Sequence, residues 1–357
     1  MSSLGRLGYQ LHTGERSFSV VPRRRTWLTI AAVLVLLTVL IVLFRGVNAG
    51  IEFRGGSQFT VTGVPAPEQQ IAHDVVAEVG DGEVARVSTV GASALRVQTQ
   101  ELTSEQTEEL RQGLAEAYGV PATEVASTFI GPSWGQDLTR QALQGLAVFI
   151  VLVAIVLSAY FRSWQMATAA LVALVHDIVI TAGVYAIVGW EVTPASVIGL
   201  LTILAYSLYD TVVVFDKIRE NTAELEEQDD QTFAELSNLA VNQTLVRSIN
   251  TSVTSLLPVG AILFVGALLL GAGTLRDIAL ALFVGMFVST VSSVFVATPL
   301  QVLLRGRDPR IAEHTERVLE RRRALTGAAD LPVSAVEVQP GQHRGQAAQP
   351  KRRKGRR

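Results

Sequence analysis

A chain of 357 residues that is 49% apolar, with a mean hydropathy of +0.35, is more apolar than an ordinary water-soluble globule. Its formal net charge is only −2, but the charges are segregated along the chain, so the total constrains little. There is no cysteine, which excludes a disulfide framework and thiolate metal sites, and the five histidines lack metal-ligand spacing.

In chain order, the first apolar run is Trp27 to Phe44, directly after Arg23, Arg24 and Arg25. It is longer than the apolar centre of a secretory leader and no small-residue cleavage site closes it, so it is expected to persist as an anchor. The next segment, residues 45–139, changes character. Ile51 to Thr62 alternates like a strand, and Pro65-Ala66-Pro67 opens a helix carrying Ile71, Val75 and Val79. Glu83 to Val90 and Ala94 to Thr99 read as strands joined at Gly91-Ala92-Ser93. Thr103 and Gln106 have capping-box spacing ahead of a helix over Glu105 to Tyr118, and Val125 to Ile130 is a last strand. The order β-α-β-β-α-β predicts an α+β ferredoxin-like domain. Gly55-Gly56 is read as a turn or bulge, not a phosphate cradle, because no helix start follows.

Five more apolar runs follow: Ala142 to Phe161, Met166 to Trp190, Pro194 to Phe215, Ser248 to Gly271 and Leu275 to Leu304. Each reaches the roughly 18–20 residues that cross about 30 Å of hydrocarbon. The expected fold class is an α-helical polytopic membrane protein with six transmembrane helices and an extracytoplasmic ferredoxin-like domain between helices 1 and 2. The segments are 1–26, 27–44, 45–139, a five-helix bundle over 140–304, and a tail over 305–357. Arg23 to Arg25, Arg162, Lys217, Arg219, Arg247, Arg305, Arg307 and Arg310 all fall on one side, which predicts that both termini are cytoplasmic. The tail collects Pro, Gly and Gln and ends in Lys351-Arg352-Arg353-Lys354-Gly355-Arg356-Arg357. It is expected to be solvated, disordered and drawn to anionic lipid, with no surrounding fold suited to nucleic acid.

Helical spacing gathers the polar residues of the membrane runs into stripes. Asp177, Thr181 and Tyr185 recur at every fourth position of the third run, and Thr202, Tyr206 and Asp210 do so in the fourth, with Ser207 alongside. In the fifth, Arg247, Thr251 and Ser255 line one side near Asn250, Thr254 and the kinking Pro258. A charge near the bilayer centre costs roughly 2.5–3.5 kcal/mol on insertion scales, so three such stripes predict a hydrated path or an ion-pair network. Asp210 lies too deep for its short side chain to reach water, Asp177 lies near mid-run, and Arg247 stands before its run, where an arginine can also snorkel. His176 points off its stripe and is read as packing; Asp216 and Arg219 are read as an edge pair. In the sixth run Ala281, Gly285, Ser289, Ser293 and Ala297 form a small-residue seam for close approach of another helix, in this chain or in a second subunit.

Five segments carry a family resemblance: Gly50-Ile-Glu-Phe-Arg-Gly-Gly56, Gly131-Pro-Ser-Trp-Gly-Gln-Asp137, Val175-His-Asp177, Tyr206-Ser-Leu-Tyr-Asp-Thr-Val-Val-Val-Phe-Asp-Lys-Ile-Arg-Glu-Asn221 and Asn242-Gln-Thr-Leu-Val-Arg-Ser-Ile-Asn-Thr-Ser252. Together with six spans and a large first outer loop, they resemble the SecF side of the bacterial SecD/SecF protein-export family, in the resistance-nodulation-division superfamily. The resemblance implies a non-enzymatic subunit of the bacterial cell membrane that partners SecD, the SecYEG translocon and an insertase of YidC type. It implies an unfolded exported polypeptide as client, and the proton gradient as energy source with no cofactor. The family's proton-coupling aspartate and arginine map onto Asp210 and Arg247, which would pair when the helices close and separate when they part; Asp177 joins them as a candidate from its stripe. Tyr209 departs from the family's frequent Asn, and Lys217 from its usual Arg. Two other classes remain open: a half-sized proton-driven transporter of lipids or small molecules, and a non-conducting stabiliser of the translocon.

Overall fold

The computed structural model describes residues 9–79, 85–91, 93–269 and 273–326. Among these, six helices are long and apolar enough to cross a membrane. The first, α1 (Arg24–Arg45), buries Ala31 and Thr38, sets half-buried Trp27 against Phe295 and exposes much of its remaining apolar surface, as suits a helix at the edge of a bundle in lipid.

A single helical turn, Ile51–Arg54, leads into the sheet domain: β1 (Gly56–Val61), α2 (Gln69–Val79), β2 (Arg86–Val90), β3 (Ala94–Thr99), α3 (Ser104–Tyr118) and β4 (Val125–Ile130). The strands are antiparallel in the order β2-β3-β1-β4, the ferredoxin-like arrangement. Phe59 pairs with Val97 and Val61 with Leu95, so alternate residues turn one apolar face toward Ala72 and Val76 of α2 and Leu110 and Leu114 of α3. The opposite face carries Gln58, Arg96 and Gln98. The capping box of α3 forms as its spacing predicts, with Thr103 accepting from the Gln106 amide. The expected strand from Ile51 is shortened because the chain first coils through Ile51–Arg54 and then turns at Gly55 (φ 82°) and Gly56 (φ 131°). A side chain on Gly56 would collide with the Thr99 carbonyl, so the glycine pair is a turn that sets the strand register. Of the strand expected over Glu83 to Val90, residues 83 and 84 lie outside the described residues.

Helix α4 (Pro132–Phe161) begins well before its apolar run, so the boundary expected at 139 falls inside a helix. A Cβ on Gly135 would stand 2.8 Å from the Phe53 carbonyl; only glycine lets the first turn of α4 lie on the Ile51–Arg54 turn. The bundle continues with α5 (Trp164–Val188), α6 (Pro194–Asn221) and α7 (Phe233–Ala261), the last running on as a π-helix over Ile262–Leu269. Helix α7 starts long before Ser248 because Thr232 and Glu235 close a capping box there, and it passes through Pro258 without ending. The final span is α8 (Gly273–Ser292), a π-helical segment Ser293–Ala297, and α9 (Thr298–Arg305).

One finding corrects the sequence reading, and another decides between two alternatives it left open. The tail is not disordered throughout: α10 (Pro309–Thr326) packs on the terminal side of the bundle. Arg322 grips Glu235 at 2.7 and 2.8 Å and the Asp230 carbonyl at 2.6 Å, and His314 meets the Gln228 carbonyl. Residues 327–357, with the basic terminus, lie outside the described residues. The small-residue seam, in turn, is buried inside this chain. Gly199 of α6 approaches Ala281 so closely that a Cβ would stand 2.9 Å away, and Gly285 lies against Ile203. The seam therefore seats α8 on α6, the first of the two alternatives.

The stretch before α1 is also docked. Asn238 accepts hydrogen bonds from the Val20 and Val21 amides, and Asn242 accepts from the Phe18 amide while donating to the Phe18 carbonyl. These asparagines satisfy a backbone strap whose Val20 and Val21 are fully buried.

Candidate functional site: carboxylates and hydroxyls between four helices

The site lies where α5, α6, α7 and the α8–α9 span meet. Asp210 of α6 is 5% exposed, and both of its oxygens are held across helix boundaries. Ser248 of α7 donates to Oδ1 at 2.8 Å, and Ser293 donates to Oδ2 at 2.5 Å. One turn away, Asp177 of α5 is 1% exposed and its Oδ2 accepts from Ser207 of α6 at 2.7 Å. Tyr206 and Thr290 both reach Ser252, the latter at 2.7 Å. Hydroxyls and carboxylates thus tie four helices together at one level of the bundle. Buried acids without donors would be strongly unfavourable, and these donors supply what water would otherwise give.

Ser293 reaches Asp210 from the start of the π-helical segment, whose widened turn leaves Thr298 to bond back to the Ser293 carbonyl. Such bulges interrupt helical register and re-aim side chains, often at working sites. Ser293 thus has two jobs: it is small enough for the seam and polar enough to hold the acid.

Arg247 stands elsewhere than its pairing with Asp210 predicts. It lies on an exposed face of α7, and its Nη2 donates to the Tyr209 hydroxyl at 3.3 Å. The buried polar stripe of α7 is Thr244, Ser248 and Ser252, offset by one residue from Arg247, half-buried Thr251 and Ser255. Thr202 is also exposed and satisfies its hydroxyl on the Ile198 carbonyl of its own helix. Thr181 is buried on the Asp177 stripe as expected, but its hydroxyl finds no partner among the described residues, nor does that of Ser289, one turn from Ser293. Gln301, fully buried two turns toward the terminal side, has neither side-chain atom bonded within the described residues. Buried polar groups of this kind are ordinarily satisfied by internal water.

Reasoning from sequence missed Ser248 and Ser293 as partners of Asp210 and placed His176 among packing residues. Its Nδ1 lies 3.2 Å from Asp177 Oδ1. A serine at the level of the acid on each flanking span was the available signal, but many serines and threonines in these helices carry the same signal.

Three comparisons bear on this geometry. The profile of the family described as protein export membrane protein SecD/SecF, C-terminal, matches residues 112–307. The protein translocase subunit SecF of Streptomyces coelicolor is 45% identical over 94% of this chain and 90% of its own length, and that of Mycobacterium tuberculosis is 43% identical over 92% and 78%. The crystal structure of SecDF from Thermus thermophilus, titled a translocon-associated membrane protein, superposes with a TM-score of 0.73 at 33% identity. It covers 82% of this chain, which in turn spans only 39% of that longer one. The chain belongs to the SecD/SecF family of protein-export membrane proteins, on its SecF side, and is a multi-pass membrane protein.

Proposed function

We propose that this chain is a proton-coupled accessory subunit of protein export, working with a SecD-type partner on late steps of polypeptide translocation and catalysing no reaction of its own. The single observation that carries the reading is Asp210: a titratable group deep in a membrane bundle, held by serines from two other spans. Protonation would change what both serines bond to, so a proton entering or leaving this carboxyl would alter the packing of α6, α7 and the final span together. The hydroxyls of Thr181 and Ser289 on one side, and Gln301 on the other, find no partner among the described residues, which supports a path by which water would carry the proton to and from it.

The partner follows from the relatives. In Thermus thermophilus the matching region is part of a longer SecDF chain, so a separate SecD-type chain would supply the remainder here. Contacts with SecYEG, with a YidC-type insertase and with the unfolded client belong to the same proposal. So do anionic lipid at the basic tail and a bacterial cell membrane with both termini cytoplasmic, which the arginine-rich terminal side favours. No cofactor is needed beyond the proton gradient.

Asp210→Asn tests this reading. The amide keeps the shape but cannot carry a charge, so gradient-stimulated export into inverted vesicles should vanish while the complex still assembles. Full gradient-dependent export by the variant would make Asp210 a structural residue and the chain a stabiliser of the translocon.

A further inference from the structure

The sheet domain meets the bundle at the loop between α5 and α6. Between α5 and α6 the chain passes through Glu191 and Val192, and Ala49 and Val192 form a parallel β-bridge: the Gly50 amide donates to the Val192 carbonyl at 2.9 Å and the Val192 amide to the Asn48 carbonyl at 2.7 Å. This bridge holds Glu191 beneath the polar face of the sheet. There Arg96 of β3 pairs with Glu191 Oε2 at 3.2 Å, and Gln98 of the same strand donates to Oε1 at 2.5 Å. Both charged side chains of that pair are largely buried, at 19% and 14% exposure.

A second carboxyl lies in the same place. Oxygens of Glu52 and Glu191 both stand within 3.2 Å of the point a Cβ on Gly50 would occupy. The two groups are therefore within about 6 Å of each other, close enough for the Glu191 charge to oppose ionisation of Glu52. Glu52 Oε2 is buried without a hydrogen-bond partner among the described residues. Asp277, with Arg276 beside it, is the next charged group facing the pair from α8. Three carboxyls thus gather around Arg96, and Arg276 adds a second guanidinium beside Asp277.

We propose that Glu191 is the residue that positions the sheet domain on the membrane bundle, and that the Glu52–Glu191 carboxyl pair makes this docking proton-dependent. The domain seats when Glu52 holds a proton and loosens when Glu52 is ionised beside Glu191, because Arg96 alone cannot neutralise two adjacent carboxylates. Burial pushes the Glu52 carboxyl above its usual range, and Glu191 and Asp277 add to the rise while Glu52's backbone hydrogen bond and Arg96 oppose it. The seated domain then binds the proton more tightly than the unseated one. Docking is strongest below the ordinary glutamate range and weakens as pH climbs from there to the seated value.

The chain contains no cysteine, so two introduced ones can be labelled uniquely. Spin labels at Thr89→Cys on β2 and Val188→Cys at the end of α5, both exposed positions, report the separation of domain and bundle in the full chain in nanodiscs. Raising pH from about 5 to about 8 should shift the distance distribution to longer values in the otherwise unaltered protein. Glu52→Gln, which keeps size and removes the charge, should give the short distance throughout. Arg96→Met should give the long, broad distribution throughout. A distribution that does not move with pH, or a pH response that survives Glu52→Gln, overturns the proposal.

Discussion

Ser293 donates its hydroxyl to Asp210 Oδ2 at 2.5 Å from the helix that also carries the small-residue seam, so the surface that packs α8 on α6 also holds the buried acid. Packing and proton chemistry are therefore not separable along this span, and several expected outcomes follow from that overlap.

Removing either serine should destabilise the bundle as well as impair it. Ser293→Ala and Ser248→Ala each leave Asp210 short of one donor in a buried setting, at a cost of about 1–3 kcal/mol. Unfolding of the purified chain by SDS titration in mixed micelles measures this. Equal stability of both variants and the parent would mean that neither hydroxyl holds the acid.

Arg247 and Asp210 should behave as one unit in export although they are not paired here. Arg247→Met and Asp210→Asn should each abolish gradient stimulation, and the double variant should be no worse than either. Tyr209→Phe removes the partner that Arg247 has in this arrangement; because the site is exposed, stability should change by no more than about 0.5 kcal/mol. Additive losses of export in the double variant would separate the two residues.

Gly285→Leu should damage the isolated chain itself. The added side chain must displace Ile203 at the α6–α8 contact, and overpacking of this kind costs about 1–3 kcal/mol or more. Gel filtration and thermal scanning of the chain purified without partners reads the effect. A well-folded variant that merely loses its partner would place the seam on an outer surface instead.

Arg322→Ala should free α10 from the bundle. The guanidinium bridges Glu235, which caps α7, and the Asp230 carbonyl, so its loss removes both ties at once. Limited proteolysis should then cut within residues 306–326 faster than in the parent, with the six spans still protected. Unchanged cleavage would show that the helix is held without Arg322, by buried Ile311 and Val318 and by His314 on the Gln228 carbonyl.

Six spans, their approximate limits, the β-α-β-β-α-β order and the depth of Asp210 were all legible in the residues, because each depends on local quantities: hydropathy over some twenty positions, alternation, capping spacing. The buried face of α7 was not. Arg247-Thr251-Ser255 and Thr244-Ser248-Ser252 are both polar stripes of period four, about 100° apart around the same helix, and nothing in their composition ranks them. Packing of α7 against α6 and the final span made the choice, burying the serine stripe and leaving Arg247 exposed beside Tyr209. The docking of Arg96 on Glu191 was equally invisible, since two residues far apart in sequence meet only because a β-bridge after α1 carries the sheet over the α5–α6 loop. Local pattern decides which elements form; only their mutual burial decides which side chains share a low-dielectric space, and hence which carboxyls must find donors or hold a proton.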